Sequence, residues 1–230
     1  MRTICYVDGY NLFYGCLKYG PHKWLDLFQL LHTQILHSQS PSSELIKIKF
    51  FTANIRGKLA SHGDLAEKSQ RDYHRALEKL YPDTVEIIKG YYSPPKKEWM
   101  LDYVKPPNKE QRVAVWRMEE KQTDVNIAIE AYRDAAKGFV DHQVFISNDS
   151  DLEPALKAIR EDFDHIHLGL IMPVMFDNQL KEGAKPPINK RLSGQAHWTR
   201  RYITDEELSN SHLPNMIPTN KKPILKPEYW

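Results

Sequence analysis

Residues 1–9, MRTICYVDG, decide the fold. A short, β-rich, largely apolar run stops at Asp8-Gly9, which suits a central parallel strand covered on both faces. Beyond it, residues 24–37 place Leu25, Phe28, Leu31 and Ile35 at helical spacing, with a stop near Ser40-Pro41. Residues 45–52, LIKIKFFT, read as a second strand. Residues 59–81 read as a long amphipathic helix with Leu65, Tyr73, Leu77 and Leu80 on one face, and residues 84–92, TVEIIKGYY, as a third strand. Residues 93–108 carry Pro94, Pro95, Pro106 and Pro107 among lysines and read mostly as loop. Residues 124–137 form a helix with Val125, Ile129 and Tyr132 spaced for burial and Gly138 at its stop. A fourth strand at 144–147, a helix at 152–160 and a fifth strand at 166–172 complete the alternation. Strands and helices in this rhythm predict an α/β fold, a mostly parallel sheet with helices on both faces. Residues 181–230 are polar and proline-rich, with a short β-like piece at 197–203. They read as an extension packed on the domain formed by residues 1–180.

Composition excludes several classes. The chain of 230 residues carries 32 basic and 30 acidic side chains, so neither a polycationic coat nor an acidic solvating chain fits. With 41% hydrophobic residues it can bury a core without a metal or disulfide staple. The two cysteines, Cys5 and Cys16, form no CxxC pair, which predicts a reduced, cytoplasmic protein. No apolar stretch approaches the ~18 residues of a membrane span, and the N-terminal run is no signal peptide.

The aspartates fall at telling places. Asp8 follows the first strand. Asp149 and Asp151 follow the fourth, in Ser147-Asn148-Asp149-Ser150-Asp151, and Asp124 opens the helix leading into it. Open parallel sheets bind ligands outside the carboxyl ends of their strands, where strand order reverses. Neighbouring strands there, about 4.8 Å apart, would bring Asp8 and Asp149 together. Clustered carboxylates repel unless a cation neutralises them or one is protonated. Hard oxygen donors with room for water suit Mg²⁺ or Mn²⁺, which can activate water for phosphodiester cleavage. Each aspartate alone also suits a structural role: Asp124 and Asp151 as helix caps, Asp8-Gly9 as a turn. Their recurrence on one sheet edge favours the shared site.

Three motifs, Val7-Asp8-Gly9-Tyr10-Asn11-Leu12, Lys121-Gln122-Thr123-Asp124-Val125 and Ser147-Asn148-Asp149-Ser150-Asp151-Leu152, resemble the NYN domain family of PIN-like proteins, related to bacterial LabA-like proteins. The closing Lys226-Pro227-Glu228-Tyr229-Trp230 is similar to the KPxxW ending of bacterial members. The resemblance implies a three-layer α/β/α PIN-like domain with strand order 3-2-1-4-5 and metal-dependent ribonuclease activity. By position it makes Asp8, Asp124, Asp149 and Asp151 the catalytic, metal-holding acids and Asn11 a polar partner near the metal or phosphate. Asn148 stands where the family usually has glycine, and asparagine tolerates a left-handed backbone well.

The segment 89–121 interleaves Lys96, Lys97, Lys105, Lys109, Arg112, Arg117 and Lys121 with Tyr91, Tyr92, Trp99, Tyr103 and Trp116. Basic groups follow phosphates while aromatic faces stack unpaired bases. We therefore expect Lys96, Lys97, Arg112, Arg117 and Lys121 to contact RNA. The other reading is a proline-rich connection pinned by its aromatics. Lys121 also reads as a solvated surface lysine; Glu119 and Glu120 could supply one more acid, although adjacent charges just ahead of a helix are usually solvated. The histidine pair His165-Ile166-His167 lacks zinc spacing. No GxGxxG or P-loop follows a strand, no GxSxG elbow is present, and Tyr10 occupies the place where a haloacid-dehalogenase-like phosphatase needs a second aspartate. The expected function is a ribonuclease using Mg²⁺ or Mn²⁺ with RNA as partner and no membrane, the oligomeric state being left open. The competing reading is a non-catalytic RNA-binding or regulatory module on the same fold.

Overall fold

Strand β1 (Arg2–Asp8) lies in the middle of a seven-stranded sheet and is buried from Thr3 onward. The reason is its alternation: Cys5 and Val7 point into one apolar core and Ile4 and Tyr6 into another, on the opposite face. The computed structural model describes residues 1–176 and 188–230. After β1 come α1 (Gly9–Leu12), continued by a wider π-helical turn at Phe13–Leu17, and a second π-helical stretch, Gln29–Leu36, running into α2 (His37–Gln39). Next are β2 (Glu44–Ala53), α3 (Asp64–Leu80), β3 (Val85–Tyr92), β4 (Lys96–Leu101), β5 (Arg112–Arg117) and β6 (Glu120–Lys121). Then follow α4 (Thr123–Ala136), β7 (His142–Ile146), α5 (Glu153–Asp162), β8 (His167–Ile171) and β9 (Met175–Phe176). The C-terminal part holds α6 (Lys190–Gln195), β10 (Trp198–Arg200), β11 (Ile203–Thr204), α7 (Asp205–Ser209), β12 (Met216–Ile217) and β13 (Ile224–Leu225).

The large sheet runs β10-β8-β7-β1-β2-β3-β6, parallel throughout except for β6 against β3. This differs from the five-strand sheet expected, because short strands β10 and β6 are added at its two edges. Their two or three residues are too few to announce themselves by periodicity. From β1 the chain winds outward through β2 and β3, then returns to β7 on the other side. The strand order therefore reverses between β1 and β7, the position where open α/β sheets bind ligands.

Four expectations need correction. The helix read from residue 24 starts after Asp26, whose Oδ1 accepts the Gln29 N–H at 3.0 Å. Trp24 lies in a bend and Leu25 in an isolated bridge instead, paired with the C-terminal segment through Leu25↔His212 and the Leu213 N–H to Trp24 carbonyl bond. That partner lies far along the chain, out of reach of any local pattern. On α3, Tyr73 and Leu77 are buried, whereas Leu65 and Leu80 are exposed. On α4, Val125, Ile129 and Tyr132 face outward, and the buried side is Ile127, Ala131, Asp134 and Ala135. Asp134 takes a core position because Lys49 meets it at 2.6 Å and the Tyr6 hydroxyl donates to it at 2.9 Å. Finally, within the segment read mostly as loop at 93–108, residues 96–101 form a strand, β4, paired antiparallel with β5 from Lys96↔Arg117 to Leu101↔Arg112.

The boundary expected between residues 180 and 181 lies outside the described residues. Past it, Leu208, Leu213, Ile217 and Ile224 join the same core as Cys5 and Val7. Among the described residues no helix is long and apolar enough to cross a membrane.

Candidate active site

Asp8 ends β1 and caps α1, accepting the Asn11 N–H at 2.9 Å on Oδ1. The turn must be tight here: a side chain at Gly9 would place its Cβ 2.6 Å from the Phe51 carbonyl oxygen. Asn11 then reaches back, its Nδ2 donating to Asp8 Oδ2 at 2.6 Å. From the neighbouring strand, β7, the Ser147 hydroxyl donates to the same Oδ2 at 3.0 Å and accepts the Asp149 N–H at 3.0 Å. Ser147 thus ties the two strand-end acids together. Asp149 in turn caps the short turn that starts α5, accepting the Asp151 N–H at 3.0 Å. The Asn148 N–H points at Asn11 Oδ1, 3.4 Å away. Among the described non-glycine residues only Gln122 has a positive φ, so Asn148 replaces glycine without a left-handed backbone.

Asp124 sits in the first turn of α4 and completes the cluster electrostatically. Burial, then the charges of Asp149, Asp8, Glu120 and Asp151, push its carboxyl up to about 6. Glu120 belongs here as well. Burial raises its carboxyl, the Thr123 hydroxyl bound to it works the other way, and the charge of Asp8 raises it further. Burial also raises Asp8, which is 1% exposed, against the bonds from Asn11 and Ser147. The structure therefore brings together Asp8, Asn11, Asp124, Asp149 and Asp151, and adds Glu120, for which the sequence favoured a solvated charge, and Ser147, to which it gave no role. Glu120 opens β6, and the residue before it faces other partners. Glu119 turns to Arg117 and to Lys121, the latter at 2.5 Å, while Glu120 turns to the acids.

Among the described residues no lysine, arginine or histidine forms an ion pair with any of these five acids. Elsewhere the fold neutralises buried charge, as Lys49 does between Glu130 and Asp134. An unpaired buried carboxylate is costly unless a cation neutralises it or it is protonated. No three His, Cys, Asp or Glu side chains among the described residues are grouped so as to hold an ion by themselves. Three of the roughly four lone-pair positions of Asp8 are already used. This donor set suits Mg²⁺ or Mn²⁺: Mg²⁺ keeps several waters and binds through one or two carboxylates plus substrate phosphate.

The proposed basic groups lie apart from the acids. Lys96, Lys97, Arg112 and Arg117 are on the β4–β5 ribbon, whose base is closed beside β6 by the Ser93 N–H to Glu119 carbonyl bond at 2.9 Å. Arg117 is held by Glu98 and Glu119, and Lys121 by Glu119. Arg112 donates to the carbonyls of Lys109 and Trp99. Among the described residues Lys96 and Lys97 have no acidic partner, and Lys97 Nζ lies 4.7 Å from the Trp99 ring centroid.

The raised Asp124 carboxyl makes a stability prediction. Its folded value exceeds its unfolded one, so its contribution is full below about pH 4 and is lost as the pH rises through about 6. Asp124→Asn should stabilise the protein at pH 8 by about 1 kcal/mol after allowance for solvent screening. That is a melting point ~2–4 °C higher, with no gain at about pH 3.5. Thermal melts in chelator at both pH values check it, and a destabilised variant at pH 8 would refute the repulsion.

The sequence model described as NYN domain matches residues 2–184. The chain is 40% identical to the protein named 6-hydroxy-3-succinoylpyridine 3-monooxygenase HspA of Pseudomonas putida, a match covering 100% of this chain and 75% of that one. A crystal structure of a protein of unknown function from Vibrio parahaemolyticus aligns over 92% of this chain and 96% of its own, with TM-score 0.49 and 16% identity.

Proposed function

The chain belongs to the NYN domain family, and we propose that it hydrolyses RNA phosphodiester bonds with a divalent cation held by its strand-end acids. The observation that carries this reading is the acid cluster around buried Asp8, with Glu120, Asp124 and Asp149 half-buried and Asp151 exposed, and with no basic partner among the described residues. It lies where β1 and β7 diverge. Bound Mg²⁺ or Mn²⁺ would supply an acidified water and offset the charge building on phosphate. Asp8 and Asp149 are the groups to hold it, because Asn11 and Ser147 fix the Asp8 carboxylate and the Asp151 N–H fixes that of Asp149. Asp151 lies next to them at the start of α5 and can orient water. Asp124, with its carboxyl near neutrality, suits proton transfer at the reacting oxygens. The test is cleavage of end-labelled single-stranded RNA with Mg²⁺ or Mn²⁺. Cutting should stop with EDTA and be absent from an identically purified Asp8→Asn variant. Binding without cutting would favour the non-catalytic module.

The β4–β5 ribbon supplies the grip on RNA. Trp116 on the ribbon and Tyr103 in the connection between its strands are 75% and 83% exposed, unusual for aromatic side chains unless they have something to stack on. Lys96, Lys97 and Arg112 supply charge along the same ribbon. Each neutralised phosphate adds about −0.7 to the log–log salt slope for single strands. Replacing the three with alanine should flatten the slope by about 2 units, read from binding titrations across salt concentrations. An unchanged slope would make the ribbon structural. Arg117 and Lys121, held by glutamates, should change the slope less.

The 40% identity with a protein named as a monooxygenase favours a second reading, hydroxylation of a pyridine ring. Such a reaction needs a two-electron reductant, and no strand in the sequence is followed by the GxGxxG phosphate turn of dinucleotide folds. An acid cluster also serves phosphate chemistry better than electron transfer to oxygen. We therefore place it second.

A further inference from the structure

A cleft of about 480 Å³ opens beside the acids, with Gly9, Tyr10 and Glu120 on its lining. That volume lies in the range of small-molecule sites. One wall is aromatic: the Tyr10 and Tyr14 rings stand 4.4 Å apart. The last two residues of the chain, Tyr229 and Trp230, also line the cleft. Trp230 packs 5.9 Å from Tyr73, and Tyr229 lies 4.5 Å from His62 and donates to the Ser69 hydroxyl at 2.9 Å. Polar side chains on the lining are left over, His74 among them. His74 is 5% exposed, yet among the described residues its ring nitrogens have no hydrogen-bond partner. Burial, then the charge of Lys89, lowers its ring to about 4, so it is neutral at physiological pH. A neutral imidazole presents one donor and one acceptor.

Aromatic walls and a donor–acceptor pair are what a planar heterocycle needs: stacking faces and an edge to read. We propose that this cleft takes the base of the RNA nucleotide next to the phosphate held at the acids. It rests on the ribonuclease reading and deepens it, giving the nuclease a base pocket. The lining includes Gly9, next to Asp8 in the chain, and Glu120 of the acid cluster, so base and phosphate of one nucleotide fall on adjoining surfaces. Lys18, whose Nζ lies 4.6 Å from the Tyr14 ring centroid, brings positive charge to the lining.

The test is saturation-transfer NMR on the full chain with EDTA present, so that nothing is cut. The probes are AMP, GMP, CMP, UMP and ribose 5-phosphate. Saturation is expected on base protons of at least one nucleotide and not on ribose 5-phosphate. Affinity should fall about 5-fold or more in Tyr14→Ala, since stacking on one aromatic ring is lost. His74→Gln, which keeps a donor and an acceptor in another geometry, should weaken binding and alter the preference among bases. Tyr14 is half exposed, so its variant should fold, as circular dichroism will show. Absence of any nucleotide signal, or signals unchanged in both variants, overturns the proposal. A hydroxypyridine that binds where nucleotides do not also overturns it. RNA cleavage with Mn²⁺, assayed separately, reports on the ribonuclease reading alone: cleavage without base binding removes only the pocket, and base binding without cleavage removes only the nuclease.

Discussion

Asp149→Asn is expected to lower metal-dependent RNA cleavage by about 100-fold or more while leaving the fold and RNA binding intact. The exchange keeps size and an acceptor oxygen, so the cap on the Asp151 N–H survives. Ser147 still finds Asp8 and the backbone of residue 149. What is lost is one negative charge at the place proposed for a cation, and with it the charge that holds the ion and orients its water. RNA binding should persist or tighten, because a carboxylate facing phosphates has gone. Single-turnover cleavage and equilibrium binding on matched preparations separate the two effects. Equal cleavage by both proteins would point to a contaminating nuclease and remove the catalytic assignment.

Trp24→Ala should cost about 3–5 kcal/mol, the range for emptying a large aromatic site. Trp24 is 0% exposed and its Nε1 donates to the Pro214 carbonyl at 2.9 Å. Its ring stands 5.9 Å from Tyr73 and 6.2 Å from Trp230, so it joins α3 to the last residue of the chain. Alanine leaves a cavity and an unpaired carbonyl. A chain of this size should melt ~6–20 °C lower, and the residues after Leu213 should become sensitive to protease. A loss below about 1 kcal/mol would mean that the C-terminal segment is not held by this contact.

Much of the site was legible because its residues sit at element ends with strong local signals. Asp8 closes an apolar strand, Asp149 follows another and Asp124 opens a helix, so topology alone brings them to one edge. Side-chain facing was harder to read. On α4 the apolar residues Val125, Ile129 and Tyr132 give a convincing stripe, yet the helix turns it outward and buries Asp134 against Lys49. A paired charge in the core defeats a hydrophobicity pattern. Trp24 was misplaced for a different reason: its partners, Leu213 and Pro214, come from the far end of the sequence. The ribbon was hidden by prolines that suggest a loop, and Glu120 by its neighbour Glu119, although the two face different partners. His74 and the aromatic cleft had no sequence signal, since they depend on α1, α3 and the C-terminus converging.

The most direct measurement runs two assays on one preparation. Single-stranded RNA is given with Mn²⁺, and 6-hydroxy-3-succinoylpyridine is given with oxygen and a reduced nicotinamide cofactor. Cleaved RNA is resolved on a gel, and hydroxylated pyridine is quantified by mass. The account predicts RNA cleavage that needs the cation, stops with EDTA and disappears in Asp8→Asn, with no turnover of the pyridine. Hydroxylated product from a protein that leaves RNA uncut would contradict it.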